Sequence, residues 1–369
     1  VMSWPTASDT YGGRIIGTIG SDIRAGIDYE HNTKDAEQNM VMSGMNVFMT
    51  YLWPGVETEK LGLFFEKDLN NISFGLRYDQ VELDPTKAAD DPGGGMMQKT
   101  ANQVYDADYG VTATKRDFDN ISGFLRFNRD LNDGESYINF SINERAPDTN
   151  ELFHAKNNST AMMRHVGNPN LSSERHMTIE VGYEGMLMGN HITGSVYYND
   201  VDDYITTNRN NDSAMKARLY KNVDAELYGY EVSVHRLFAG IDTTLNLNYT
   251  RGKDETQNRP LPQIMPLAGD LTLEVNSAST NYGLRINFAD TQDRFDSKVL
   301  DVGRTAGYTT YDIFAGFEPT PNLRISIGMA NITDKRYATH LNTTNRLDSA
   351  ADRTDEPGRS LFGSVNYEF

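Results

Sequence analysis

At 369 residues the chain exceeds the usual single soluble domain, so two soluble domains or one large barrel are the first options. Its 34 Lys and Arg stand against 52 Asp and Glu, and a net charge of −18 argues against nucleic acid as a partner while attracting cations. There are no cysteines, which removes disulfide scaffolds, zinc ribbons and thiol catalysis together.

No run approaches the roughly 18 consecutive apolar residues of a membrane helix. A spanning β-strand needs only about 9–11 residues and shows lipid every second one, so the membrane stays open. The 20 Tyr, 16 Phe and 31 Gly favour strands joined by turns. The opening VMSWPTASDTYGG has no charged n-region, apolar h-region or small-residue cleavage site, so a mature chain or a piece of one is expected.

Strict alternation recurs along the chain. Ile72, Phe74, Leu76 and Tyr78 alternate with Ser73, Gly75, Arg77 and Asp79, and Met177, Ile179, Val181 and Tyr183 with Thr178, Glu180, Gly182 and Glu184. Tyr282, Leu284 and Ile286 flank Gly283 and Arg285, and Leu323, Ile325 and Ile327 flank Arg324 and Ser326. Each such segment has one apolar and one polar face. The pattern predicts strands at 10–19, 22–31, 58–67, 72–83, 116–128, 135–145, 174–186 and 190–205. It continues through 217–236, 240–251, 265–276, 281–291, 306–317, 323–331 and 359–369.

Every other connection is a tight turn, such as Gly20-Ser21-Asp22, Asn132-Asp133-Gly134, Gly189-Asn190 and Ala239-Gly240. The intervening ones are long, roughly 32–57, 84–115, 146–173, 206–216, 252–264, 292–305 and 332–358. A soluble sandwich alternates too, but has no reason to segregate its loops this way; an outer-membrane barrel does. The fold class expected is therefore all-β, an antiparallel transmembrane β-barrel.

At the C-terminus Leu361, Gly363, Val365, Tyr367 and Phe369 share one parity, resembling the terminal strand that the barrel-assembly machinery recognises. Single-chain bacterial barrels have even strand numbers, and fifteen is odd, so the chain reads as the C-terminal part of something larger. These strands are not expected to seal, with 10–19 hydrogen-bonded to 359–369, on their own.

Several stretches resemble the barrels of TonB-dependent receptors. They are Asn143-Glu144-Arg145-Ala146-Pro147 with Glu151-Leu152-Phe153, and Gly167-Asn168-Pro169-Asn170-Leu171 with Glu174, Glu180 and Gly182. Further on come Asn222-Val223-Asp224-Ala225, Asn331-Ile332-Thr333-Asp334-Lys335-Arg336-Tyr337 and Pro357-Gly358-Arg359. The resemblance implies a barrel of about 22 strands around a plug. It makes residues 1–369 a partial receptor barrel in the outer membrane, about fifteen strands with no plug domain of their own. Outer-membrane lipid would surround it, and the TonB–ExbB–ExbD complex would act through the missing plug.

Within the family, Ser8-Asp9-Thr10-Tyr11-Gly12-Gly13-Arg14, Asp301-Val302-Gly303-Arg304-Thr305-Ala306-Gly307 and Lys335-Arg336-Tyr337-Ala338-Thr339-His340-Leu341-Asn342 resemble the copper receptors. Those carry a wall His-x-Met pair just before the first stretch, which would make Met2 a deeper wall ligand. A siderophore or cobalamin receptor is the alternative, as is a passive porin or structural barrel.

No catalytic constellation stands out, and a solvated lumen accounts for the alternating Asp and Glu, so an enzyme is not expected. Methionine is more informative. Of 15 Met, Met40, Met42, Met45, Met96, Met97, Met162 and Met163 fall in predicted outer loops, with His31 before the first group and His154 and His165 bracketing the last. Thioether and imidazole suit copper, so these residues with Met2 form the candidate metal set, for copper as transported ligand and no covalent cofactor. Packing of the loops on one another explains the same methionines without metal. Trp4, Trp53, Tyr51, Tyr197, Tyr198 and Tyr204 read as aromatic girdles.

Overall fold

A computed structural model describes residues 2–93, 98–131, 133–156, 164–209, 218–296, 303–342 and 353–368, with backbone alone for 2, 46–49, 208 and 209. Met96, Met97, Met162, Met163 and Phe369 lie outside the described residues.

After the two-residue β1 (Met2–Ser3) come β2 (Thr6–Ile19), β3 (Ile23–Met42), β4 (Met45–Leu69) and β5 (Ile72–Pro85). The chain continues through β6 (Arg116–Leu131) and β7 (Asp133–Arg145), then the short β8 (Ala155–Lys156) and β9 (His165–Val166). Next are β10 (Glu174–Leu187), β11 (Asn190–Arg209), β12 (Arg218–Phe238), β13 (Ile241–Asp254) and the two-residue β14 (Arg259–Pro260). β15 (Ala268–Asn276), β16 (Thr280–Ala289), β17 (Tyr308–Thr320), β18 (Leu323–Ala330) and β19 (Ser360–Tyr367) complete the sheet. Fifteen of these strands have eight residues or more, one for each strand expected from alternation.

Each long strand pairs antiparallel with the next, β7 joining β10 and β13 joining β15 across the loops between them. The ladder runs from β2 to β19, and among the described residues no register pairs those two with each other. Both are exposed along their whole described length.

The two faces differ in chemistry. One presents exposed Ile121, Leu125, Ile138, Phe140, Ile142, Ile179 and Val181. The other carries polar pairs: Tyr137 donates to Glu180 at 2.5 Å, Tyr197 bonds Thr250 at 2.7 Å, and Asn287 donates to Asp312 at 2.8 Å. An apolar outside and a polar inside is the arrangement a transmembrane barrel requires. On the polar face, glycines lie directly opposite aromatic residues in the ladder: Gly26 and Phe64, Gly75 and Phe124, Gly182 and Tyr137, Gly283 and Phe314, Gly328 and Phe362. In each pair a Cβ on the glycine would overlap the ring, so the ring covers backbone that would otherwise be bare.

Long loops expected from sequence prove more ordered in three places. Residues 32–57 are mostly strand, β3 and β4 running on to a two-residue turn in which Ser43 and Gly44 have φ of 52° and 81°. The alternation is lost there because register shifts fall at Lys34/Ala36, Ala36/Glu37 and Met40/Val41, and each extra residue flips the parity while pairing persists. The 84–115 loop contains α1 (Ala101–Tyr109), started by a Thr100/Gln103 capping box and stopped by Gly110 at φ 69°. The 146–173 loop contains the short α2 (Thr149–Phe153).

Candidate functional site

The motif residues around 143–174 fasten one loop onto the long-loop end of the wall. Asp148 caps α2 by accepting from the backbone N–H groups of Asn150 and Glu151, and Glu151 accepts in return from Asp148 N–H. The Arg145 guanidinium donates to Glu151 at 2.7 and 3.1 Å and to Glu174 at 2.9 Å. Glu174, with a side chain only 6% exposed, accepts a further bond from Ile205 N–H and lies 3.4 Å from His176. Leu152 and Phe153 are fully buried beside Val56, Leu83 and Leu171.

The same loop brings His154 and His165 together, with ring centroids 4.4 Å apart and planes at 35°. The short hairpin of β8 and β9 sets their separation, closed by Gly167 N–H donating to the His154 carbonyl at 2.7 Å. His154 Nδ1 is 2.8 Å from the His165 carbonyl. A carbonyl can only accept, so Nδ1 carries the proton and Nε2 is left with its lone pair. Trp53 stands edge-on to His154 at 5.7 Å while its indole N–H donates to Asn150 at 2.9 Å. His165 Nε2 meets the Tyr220 hydroxyl at 2.9 Å, and Tyr109 of α1 donates to the Val166 carbonyl at 3.0 Å.

Burial lowers the pKa of both rings. His154 falls below 6.5, and His165 falls to about 3, its burial reinforced by the charges of His154, Arg218 and Lys156. Both imidazoles are therefore neutral at neutral pH, the form that ligates metal. Among the described residues no three His, Asp or Glu side chains form a metal cage, so an ion here would need other donors.

The remaining candidates are distributed differently. Met2 and Met40 are backbone partners in the β1–β3 ladder, and Met42 faces Met45 across the Ser43-Gly44 turn, both side chains more than half exposed. Met2 thus stands level with Met40 along the ladder. His31 is not with them. It lies nine residues before Met40, roughly 30 Å along the strand, where it stacks on Tyr11 at 4.7 Å.

The residues read as aromatic girdles are placed unlike one another. Trp4 and Tyr198 are exposed, but Tyr51 is buried, Trp53 and Tyr204 pack on core clusters, and Tyr197 bonds Thr250 on the polar face.

A family model described as TonB dependent receptor-like, beta-barrel matches residues 3–332. The chain belongs to that family. Its fold is that of solved receptors: it superposes on the copper transporter OprC with a TM-score of 0.83 at 23% identity, covering 100% of this chain and 58% of that one. The ferric yersiniabactin uptake receptor FyuA of Yersinia pestis gives 0.67 at 16% identity, covering 100% and 55%. Among curated relatives, haemoglobin and haemoglobin-haptoglobin-binding protein A of Haemophilus influenzae is 23% identical over 404 residues, 89% of this chain and 37% of that protein. The chain spans just over half the length of the receptor structures and less of the curated relatives. As a member of this family the receptor barrel is an outer-membrane protein, and its apolar face is the lipid face.

The sequence reading missed Trp53, Tyr109 and Tyr220 as supports of the histidine pair. Nothing local marks them, because they come from β4, α1 and β12 and meet only in the fold.

Proposed function

We propose that this receptor barrel takes part in copper uptake, its outer-loop thioether and imidazole donors capturing the ion as transported cargo. The observation that carries the reading is the neutral His154–His165 pair, at which His154 keeps an Nε2 lone pair, on the loop whose sequence also supplies Met162 and Met163. Soft donors favour Cu(I), and a net charge of −18 draws cations toward the mouth. Likeness to OprC, whose name records copper transport, agrees with this reading. Met2, Met40, Met42 and Met45 would form a second group at the β3–β4 tip. His31, on its own further down β3, would contribute least. Energy would come from the TonB–ExbB–ExbD complex acting on a plug, and assembly from the barrel-assembly machinery reading the final strand.

The test is Cu(I) and Ag(I) binding to the purified protein in detergent, before and after replacing Met40, Met42, Met45, Met96, Met97, Met162 and Met163 with leucine. Leucine keeps volume and apolar character but removes the sulfur. Affinity should fall at least tenfold. Unchanged affinity would return these residues to loop packing and leave a siderophore or cobalamin as the cargo to examine.

A further inference from the structure

Two tight turns at the short-turn end of the wall set up a pair of facing histidines. Met188 and Gly189, between β10 and β11, have φ of 53° and 77°, and Ala239 and Gly240, between β12 and β13, have φ of 52° and 82°. Two successive positive φ values make each a two-residue hairpin turn, and such turns fix the register of the strands they join. The first turn sets Met186 opposite His191, and the second sets His235 opposite Thr244. The β11–β12 ladder then pairs His191 directly with His235. His191 shares the parity of Thr193 and Ser195, and His235 that of Ser233 and Glu231, all of which line a hollow on the polar face. Both imidazoles therefore face the interior, and both residues are exposed there.

This pairing suits one ion. Direct cross-strand partners carry Cβ atoms about 4.5–5.5 Å apart. With metal–nitrogen bonds of about 2.0–2.1 Å, two imidazoles at one level can close on a single ion in cis. His235 Nε2 lies 2.7 Å from an Asp242 carboxylate oxygen. The carboxylate accepts, so Nε2 carries the proton and the neutral ring keeps its lone pair on Nδ1. A carboxylate behind a histidine in this way fixes the tautomer and raises the basicity of the ligating nitrogen. Met186 is two strand spacings from His235, roughly 9.5 Å, too far to share an ion with both rings. Among the described residues no three His, Asp or Glu side chains form a metal cage, so the site is an open one with two protein donors and water in its other positions.

We infer that His191 and His235 form a metal site on the interior wall at the short-turn end, taking a divalent late first-row ion through two imidazole nitrogens. Cu(II) should bind most tightly and Ni(II) less so, and Asp242 is a positioning residue. The inference goes beyond the copper-capture reading and does not rest on it. None of the outer-loop donors takes part, and the two sets lie at opposite ends of the wall.

Calorimetric titration of the purified protein in detergent with Ni(II) tests it, because thioethers are poor ligands for that ion and the outer methionines stay silent. One equivalent should bind in the parent and weaken at least tenfold in H191N and in H235N. D242N should lose about tenfold while keeping the equivalent, as removal of a carboxylate behind a ligating histidine does. M186L should bind as the parent does. In electron paramagnetic resonance, Cu(II) at this equivalent should show two coordinated nitrogens in the parent and fewer in H191N. Both histidines are exposed at strand ends, so each single variant should fold; if one does not, the other carries the test. The same Ni(II) binding in parent and H191N, a loss in M186L as large as in H191N, or no Ni(II) binding at all would overturn the proposal.

Discussion

Asp28 of β3 and Arg77 of β5 are not on adjacent strands, yet they form a two-point ion pair at 2.9 and 3.0 Å across Gly62 of β4. Arg77 also donates to Asp79 at 2.7 Å. The reach is possible because the strand between has no side chain at that row. A Cβ on Gly62 would overlap the Arg77 guanidinium and come within 2.8 Å of Asp28. Two point bonds give the pair more geometric definition than a lone surface ion pair.

Gly62→Ala should therefore destabilise the barrel by about 1–3 kcal/mol in urea unfolding from detergent or lipid. In an Arg77→Ala background most of that cost should vanish, since the clash and the ion pair share one atom group. Additive costs in the double variant would show that Gly62 is needed for some other reason.

Removing Arg145 should be more damaging than removing an exposed arginine. Arg145→Met leaves Glu174 charged, 6% exposed and short of its main counter-ion. Arg145 is itself 45% exposed, so the cost is that of leaving one buried carboxylate short of a donor, about 1–3 kcal/mol. Limited proteolysis should then cut between Thr149 and Ser173 in the variant and spare the parent. Equal protection would mean that α2 is held by Leu152 and Phe153 alone.

The lipid face makes a paired prediction on one strand. Ile327 is 61% exposed on the apolar parity of β18, and Ser326 points to the polar face. Ile327→Arg should cost about 2–4 kcal/mol if it sits at the bilayer midplane, less toward an interface, while Ser326→Arg should cost far less. A reversed order, measured by unfolding in lipid vesicles, would invert the assignment of the faces.

The histidine pair gives the loop a defined pH response. Both rings have folded-state pKa values below the ordinary 6.5, His165 reaching about 3. An opened loop takes up protons first as pH falls, so the tucked form keeps its full stability above about pH 6.5 and loses it progressively toward pH 3. Proteolysis within residues 155–166 should accelerate between pH 7.5 and 5 with the barrel still folded. In a Trp4→Phe variant, Trp53 fluorescence should change over the same range, because its ring lies 5.7 Å from His154. A pH-independent rate, or an unaltered response in His165→Phe, would refute this.

Alternation alone located all fifteen long strands, because a side chain in a barrel wall meets either lipid or the interior, and its polarity records which. The family resemblance and the two classes of connection were legible for the same local reason. Register shifts hid the upper half of the β3–β4 hairpin, since one inserted residue exchanges the faces without breaking the ladder. Sequence could propose His154 and His165 as neighbours eleven residues apart, but not the partners that bury them, which arrive from β4, α1 and β12. Nor could it separate His31 from the methionines that follow it: composition counts residues along a chain, whereas an extended strand carries them apart at about 3.3 Å per step. The empty row at Gly62 is decided wholly by tertiary structure, because it depends on which side chains of the non-adjacent strands β3 and β5 share one level of the wall.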